Sequence, residues 1–439
     1  MRNILQSGQS VHTESSALDC RVESFIGNGG QGEVYIAHLG GELVALKWYF
    51  AAQATQEQRA ALDMLIRRGS PSQRFLWPMD LAWAPDAAGF GYLMPLREER
   101  FKGMVDLMKR RLSPTFRSLA TAGIALADSF LQLHSRGLCY RDISFGNVFF
   151  DPNNGDVLIC DNDNVSIDGA STVDIIGTPR FLAPEVVRGE AMPSSRTDQF
   201  SLAILLFYML MLHHPLEGKR EADIHSFDAP AMRKLYGTDP VFIWDPNNDS
   251  NRPVPGYQDN ALTLWPIYPT FLQELFINVF TAGIYEPNDR VKESEWRQAF
   301  ARLRDSIVYC SECRAQNFYD ADALKATGGS SKDCWRCHKQ FRLPARIRVG
   351  RNIVMLNHDT ELFPHHIDDQ RLYDFTLPVA AMAQHPSNPD LWGIKNLSPD
   401  NWVVTTAAGA TNDVPPGRTA SLAIGTRIRF GRAEGEIRL

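Results

Sequence analysis

Between Arg21 and Phe50 apolar and polar positions alternate in three short runs separated by glycine-rich breaks, CRVESFIGNGGQGEVYIAHLGGELVALKWYF. That period predicts strand, turn, strand, turn, strand. From Gln53 to Arg68 the pattern becomes helical, with Leu62, Leu65 and Ile66 on one face. FGYLMPL, residues 90–96, reads as a further strand. Long helical stretches follow, among them Arg117 to Arg136 and Phe200 to Leu212. The second, FSLAILLFYMLML, is apolar all round, but its 13 residues fall short of the roughly 20 a bilayer span needs, so it predicts a buried core helix. Residues 217–266 form a connector rich in Pro, Asn and Asp, too long for a turn. Helical periodicity returns from Pro269 to Val308. Beyond about residue 342 the chain writes alternating Val, Ile and Thr, as in ARIRVGRNIVML, NWVVTTAAG and GTRIRFG, which predicts an all-β unit. The first 20 residues are polar and read as a leader.

Composition narrows the picture. A chain of 439 residues can bury two or three cores. A net charge of −6 is mild and gives no argument for a nucleic-acid or anionic-membrane partner, so none is expected. The opening MRNILQSGQSVHTESS lacks the apolar run of a secretory signal. Seven cysteines, four of them in two C-x₂-C pairs, suit a reducing compartment and a metal better than disulfides, so the cytoplasm is the expected location. Cys310, Cys313, Cys334 and Cys337 follow the pattern C-x₂-C, twenty residues, C-x₂-C. Four thiolates on two tight knuckles suit a tetrahedral, structural Zn²⁺. His338 is read as a bystander, and Cys20, Cys139 and Cys160 as small apolar residues.

The chemistry lies further upstream. Gly27, Gly29 and Gly32 with Val34 form G-x-G-x-x-G-x-V between two strands. Glycine lets a backbone approach phosphate oxygens and adopt positive φ freely. Val44-Ala45-Leu46-Lys47 on the next strand sets a cation where phosphates would lie. YRDISFGN places Asp142 five residues before Asn147, VLICDND ends an apolar strand at Asp161, and GTPRFLAPE supplies Ala183-Pro184-Glu185. Asp198 opens the buried helix, and Arg290 in PNDRV is placed to pair with Glu185.

In this order the motifs resemble those of the protein kinases. The resemblance implies a two-lobed protein-kinase-like domain over residues 21–305 (lobes 21–96 and 97–305); with the cysteine spacing read as a C4 zinc ribbon over 306–342 and the alternation as a small all-β sandwich over 343–439, the expected fold class is α+β. It further implies ATP with Mg²⁺ or Mn²⁺ as the nucleotide substrate, bound by Gly27, Gly29, Gly32, Val34, Ala45 and Lys47. Asp142 would take the proton of a protein hydroxyl, and Asn147 and Asp161 would hold the metal. Met94 falls at the gatekeeper position before a hinge at Pro95 and Leu96. The acid that orients Lys47 is read as either Glu57 or Asp63 on the helix after it. Thr178 would support Asp142. Arg141 would meet an activation-segment phosphate on Ser166, Ser171 or Thr172.

Three departures stand out. Tyr140 replaces the family's histidine, Ser144 its lysine, and Asn162-Asp163 its Phe-Gly. They imply a slow or tightly gated serine/threonine kinase, with a pseudokinase scaffold as the alternative and a small-molecule kinase behind it. The tail resembles a forkhead-associated domain through Gly350-Arg351, KNLSPDNW (with Trp402 for glycine) and LAIGTRIRFG; His365 and His366 lie near that family's histidine. Kinase, ribbon and β-rich tail together resemble bacterial eukaryotic-like kinases associated with tellurite resistance, which implies a PP2C-type phosphatase and a von Willebrand factor A protein as partners.

Overall fold

The computed structural model describes residues 3–16, 18–169, 177–328 and 332–439. It separates into two compact units, residues 1–114, 121–262 and 275–297 in the first and 115–120, 263–274 and 298–439 in the second.

The first unit opens on six antiparallel strands, β1 (Ser10–Thr13), β2 (Asp19–Asn28), β3 (Gly32–Leu39), β4 (Glu42–Tyr49), β5 (Asp80–Trp83) and β6 (Gly91–Pro95). They close into a barrel in the order β1-β2-β3-β4-β6-β5. The predicted leader is therefore part of the fold. β1 pairs with both β2 and β5, and Leu5 and Val11 are buried with Val22, Tyr35 and Trp48 in the barrel core. Leu5 and Val11 are isolated apolar residues in a polar stretch, but burying them there removes the exposed sheet edge that β2 and β5 would otherwise leave.

Helix α1 (Gln56–Arg68) starts three residues later than its periodicity suggests, because Thr55 caps it by accepting from the Gln58 amide. Leu62 and Leu65 are its buried face. The apolar run forms a helix over Ser195–Met211, begun by a capping box of Ser194 and Thr197, with Phe200 to Met211 buried throughout. Among the described residues no helix is long and apolar enough to cross a membrane. The connector has no long element; it is held by the buried Asn251, whose amide donates to Leu216 and Val241 carbonyls at 2.9 and 2.6 Å.

The second unit does not begin at a single cut near 305. Phe116 and Tyr268 pack on Phe318, and Asp320 accepts from Thr270 at 2.9 Å, so short stretches of earlier sequence cluster with the cysteine segment. The ribbon and the tail also share this unit: Asn357 donates to the Ile307 carbonyl at 2.7 Å and Tyr309 to Asp359 at 2.7 Å. The tail holds a six-stranded and a four-stranded antiparallel sheet. Their apolar positions, among them Ile347, Ile394, Trp402 and Ile437, form one core.

Candidate active site

Lys47 lies on β4 opposite Val34 on β3 and Tyr92 on β6. Its side chain is buried, which penalises an ammonium unless counter-charge is close. Asp163 supplies it at 2.8 Å and Asp161 at 3.5 Å, and Gln31 of the glycine hairpin accepts a third hydrogen bond at 3.0 Å. Burial alone would lower the lysine's pKa; the two carboxylates outweigh it and raise it.

Neither acid expected from α1 takes part. Glu57 is fully exposed and held by its own backbone amide and Thr55, while Asp63 pairs with Arg67 one turn on at 2.8 Å. The physical reason is the turn after Asp161. That residue has a left-handed backbone, φ 48° and ψ 44°, and Asn162–Asn164 close one 3₁₀ turn behind it. A non-glycine residue in this region is uncommon and marks a constrained site. The tight turn directs two carboxylates, two residues apart, at one ammonium.

The two carboxylates differ. Asp163 is wholly buried and accepts from Lys47, from Tyr49 at 2.5 Å and from Tyr92 at 3.1 Å. Burial opposes its ionisation, but the lysine and these donors prevail and its pKa is lowered. Asp161 has a side chain 45 % exposed. Desolvation, helped by the charges of Asp163 and Asp142 and opposed by Lys47, holds its pKa above the usual range. Asp161 and Asp163 thus face one ammonium, and the charge of Asp142 also acts on Asp161, an excess of negative charge that suits a divalent cation.

Asp142 is fixed through both oxygens. One accepts from the Thr178 amide and hydroxyl at 2.9 and 2.7 Å, the other from Asn147 at 3.0 Å. The buried Asp198 carboxylate sets the preceding backbone by accepting from the Tyr140 and Arg141 amides at 2.5 and 2.9 Å. His134 bridges Asp198 and Glu293 at 3.1 and 2.6 Å, and Glu185 pairs bidentately with the buried Arg290, both contacts 2.8 Å. Tyr140, at the histidine position, reaches the Cys160 carbonyl through its hydroxyl. Ser144, at the lysine position, is buried. Ser171 and Thr172 lie outside the described residues; Ser166 sits in a two-residue strand against Leu138–Cys139.

In the glycine hairpin one glycine, Gly32, is needed for space, and none is needed for positive φ. None of Gly27, Gly29, Gly30 or Gly32 is left-handed. A Cβ on Gly32 would lie 2.1 Å from the Trp48 carbonyl oxygen, whereas at Gly27, Gly29 and Gly30 it would meet nothing within 4 Å. Beside the hairpin Ala45 and Met94 cluster with Val34, Leu96, Leu158 and Cys160 into an apolar shelf. The motif pattern had pointed to neither Leu158 nor Cys160, nor to Gln31, Tyr49, Tyr92 and Asp163. Period-two alternation does place Tyr49 on the same strand face as Lys47, the one available signal.

In the second unit the four cysteine sulfurs lie within 4.8 Å of one another. Cys310 to Cys337 is 3.7 Å and Cys313 to Cys334 is 3.6 Å. A disulfide needs about 2.05 Å, while a tetrahedron with metal–sulfur bonds of about 2.3 Å has edges near 3.8 Å. The donor set therefore fits a zinc ion. Burial resists ionisation at Cys334, but the amides of Cys337 and Arg336 and the Asn317 side chain pull its pKa down to about 6. His338 lies outside this cluster, in the left-handed turn after Cys337. His365 and His366 are buried and use Nδ1 to accept the Tyr373 and Phe363 amides, and Arg351 is exposed beside a left-handed Gly350.

An ammonium held by two carboxylates, a separately fixed carboxylate and a glycine hairpin thus line the first unit's polar site, and comparisons with known proteins bear on the same unit. Residues 97–264 match the protein kinase domain family. CBL-interacting protein kinase 4 of Oryza sativa subsp. japonica is 27% identical over 212 residues, 45% of this chain and 46% of that protein. The cell cycle serine/threonine-protein kinase CDC5/MSD2 of Saccharomyces cerevisiae is 28% identical over 195 residues, 42% and 25%. A probable serine/threonine-protein kinase, CCRP1, of Zea mays is 30% identical over 115 residues, 26% and 18%. The chain spans less than half the length of each of these relatives. The comparisons set its kinase-like region beside serine/threonine kinases.

Proposed function

We propose that the protein is a serine/threonine protein kinase that moves the γ-phosphoryl group of Mg-ATP to a protein hydroxyl. The observation that carries this reading is geometric and joins separate elements: Asp142 is tied to Asn147 and Thr178, and Asp161 is paired with Lys47 of β4. Catalysis of this transfer is positioning and charge neutralisation. Asp142 would orient the acceptor hydroxyl and take its proton. Lys47 would neutralise phosphate charge, and the hairpin tip at Gly30 would lie against phosphate oxygens. Asp161 and Asn147 would hold the magnesium of the substrate, for which the excess of carboxylates leaves room. The apolar shelf would take the adenine.

The tetrathiolate supports a structural zinc ribbon. With four protein ligands it leaves no open position for catalysis. The two-sheet tail beside it is read as a forkhead-associated-like docking module. A cytoplasmic, bacterial setting with a PP2C-type phosphatase and a von Willebrand factor A partner belongs to the same reading.

The test is label transfer from γ-labelled Mg-ATP to the protein itself, for wild type, Asp142→Ala and Asp161→Ala. Wild type should incorporate phosphate, and each variant should lose about 100-fold or more. Equal incorporation in all three contradicts catalysis by this site. Nucleotide binding without transfer in wild type identifies a pseudokinase scaffold instead.

A further inference from the structure

We infer that Asp163 is the positioning residue for Lys47, replacing any acid on helix α1, so that the segment carrying the metal-ready Asp161 also sets the lysine. The inference rests on the phosphoryl-transfer reading above. Among the described residues Asp161 and Asp163 are the carboxylates within ion-pairing distance of Lys47. Asp161 is half open and only loosely held by the lysine, at 3.5 Å, so it can serve a cation. Asp163 is enclosed, closer to the lysine, and held in direction by two tyrosine hydroxyls. Those tyrosines also flank the ammonium, with ring centres 5.7 and 6.0 Å from Nζ. A carboxylate with three donors in a buried setting has one orientation, and so has the lysine it holds.

Helix α1 reaches this cluster through a neutral contact. Gln58 donates from its side-chain amide to the Tyr49 hydroxyl at 3.0 Å, and that hydroxyl donates to Asp163. A carboxylate at position 58 would bring back the helix-borne acid that Asp163 makes unnecessary. Lys47 is therefore placed whenever the turn at 161–163 is formed, and the polar contact of α1 with this cluster is one neutral hydrogen bond.

The experiment measures kcat and KM for Mg-ATP in wild type, Asp163→Asn, Glu57→Gln, Asp63→Asn and Asp163→Asn/Gln58→Glu. Asp163→Asn should lower kcat about 100-fold with KM changed by less than roughly threefold, because an ill-placed lysine fails chiefly in the transition state. Glu57→Gln and Asp63→Asn should stay within about twofold of wild type. Gln58→Glu should restore roughly tenfold of the loss, which a purely structural role for Asp163 would not allow. If Asp163→Asn does not fold, Tyr92→Phe serves in its place; it removes one of the three donors and should lower kcat by roughly tenfold. A wild-type kcat in Asp163→Asn, or in Tyr92→Phe where it is used, overturns the inference, as does a large loss in Glu57→Gln or Asp63→Asn. Wild type without turnover overturns the kinase reading and the inference together, whereas active wild type with an indifferent Asp163 overturns the inference alone.

Discussion

The cysteine cluster and the lysine cluster both gather groups that repel or desolvate one another, yet they are written into the chain in opposite ways. Each cysteine pair is a self-contained turn. Arg314 and His338 donate back to the Cys310 and Cys334 carbonyls at 3.0 and 2.8 Å, and both have left-handed backbones, φ 61° and 57°. Two copies of one local geometry then need only to meet. Lys47, by contrast, finds Asp163 across 116 residues, through a barrel register, a left-handed aspartate and one 3₁₀ turn. Spacing carries the first site completely. It carries no information about which acid completes the second.

The largest effect should come from breaking the local site. Purified protein should hold about one zinc per chain, and Cys334→Ser should bring this near zero, because structural zinc binding is worth about 10–16 kcal/mol and is inseparable from folding of its knuckles. Elemental analysis with circular dichroism reads both; a protein that is folded and zinc-free in wild type would erase the comparison. Next comes Arg290→Ala. It strands the buried Glu185 carboxylate and should cost about 3–5 kcal/mol in urea unfolding. A loss below about 1 kcal/mol would mean that long-range ion pairs of this unit contribute little.

His134 tests the long-range network through pH. Burial disfavours its charge, but hydrogen bonds to Asp198 and Glu293 outweigh this and raise its pKa from 6.5 to about 9. The protonated form is thus favoured in the fold. Its contribution, about 3 kcal/mol, is fully present below pH 6.5 and is lost as pH rises through about 9. Thermal melts of wild type should show this decline, and His134→Gln should flatten it; an unchanged slope in the variant would remove the bridge from the account. The smallest effect belongs to Glu57→Ala, expected to leave phosphoryl transfer within about twofold because an exposed helix charge is screened.

Much of the fold was legible because its signals are local. The strand pattern over Arg21 to Phe50, the buried Ser195–Met211 helix and the alternation of the tail follow from side-chain period alone. The barrel-closing β1 was not legible: Val11 points inward from a polar stretch, and its partner strand β5 lies about 70 residues away. The glycine hairpin follows from its motif, but the positive φ expected there is absent, and Gly32 is demanded by the Trp48 carbonyl. Asp163 was hidden by family expectation. It occupies a position where the kinase pattern has glycine, so it read as a defect of the metal loop although it is the most deeply enclosed acid of the site.

The most direct test of the central claim is a double-mutant cycle on kcat with Lys47→Met and Asp163→Asn. If Asp163 acts through Lys47, the double variant should be no slower than Lys47→Met alone, to within about twofold. If the two losses multiply, each near 100-fold and about 10⁴-fold together, the residues act independently and Asp163 does not position the lysine.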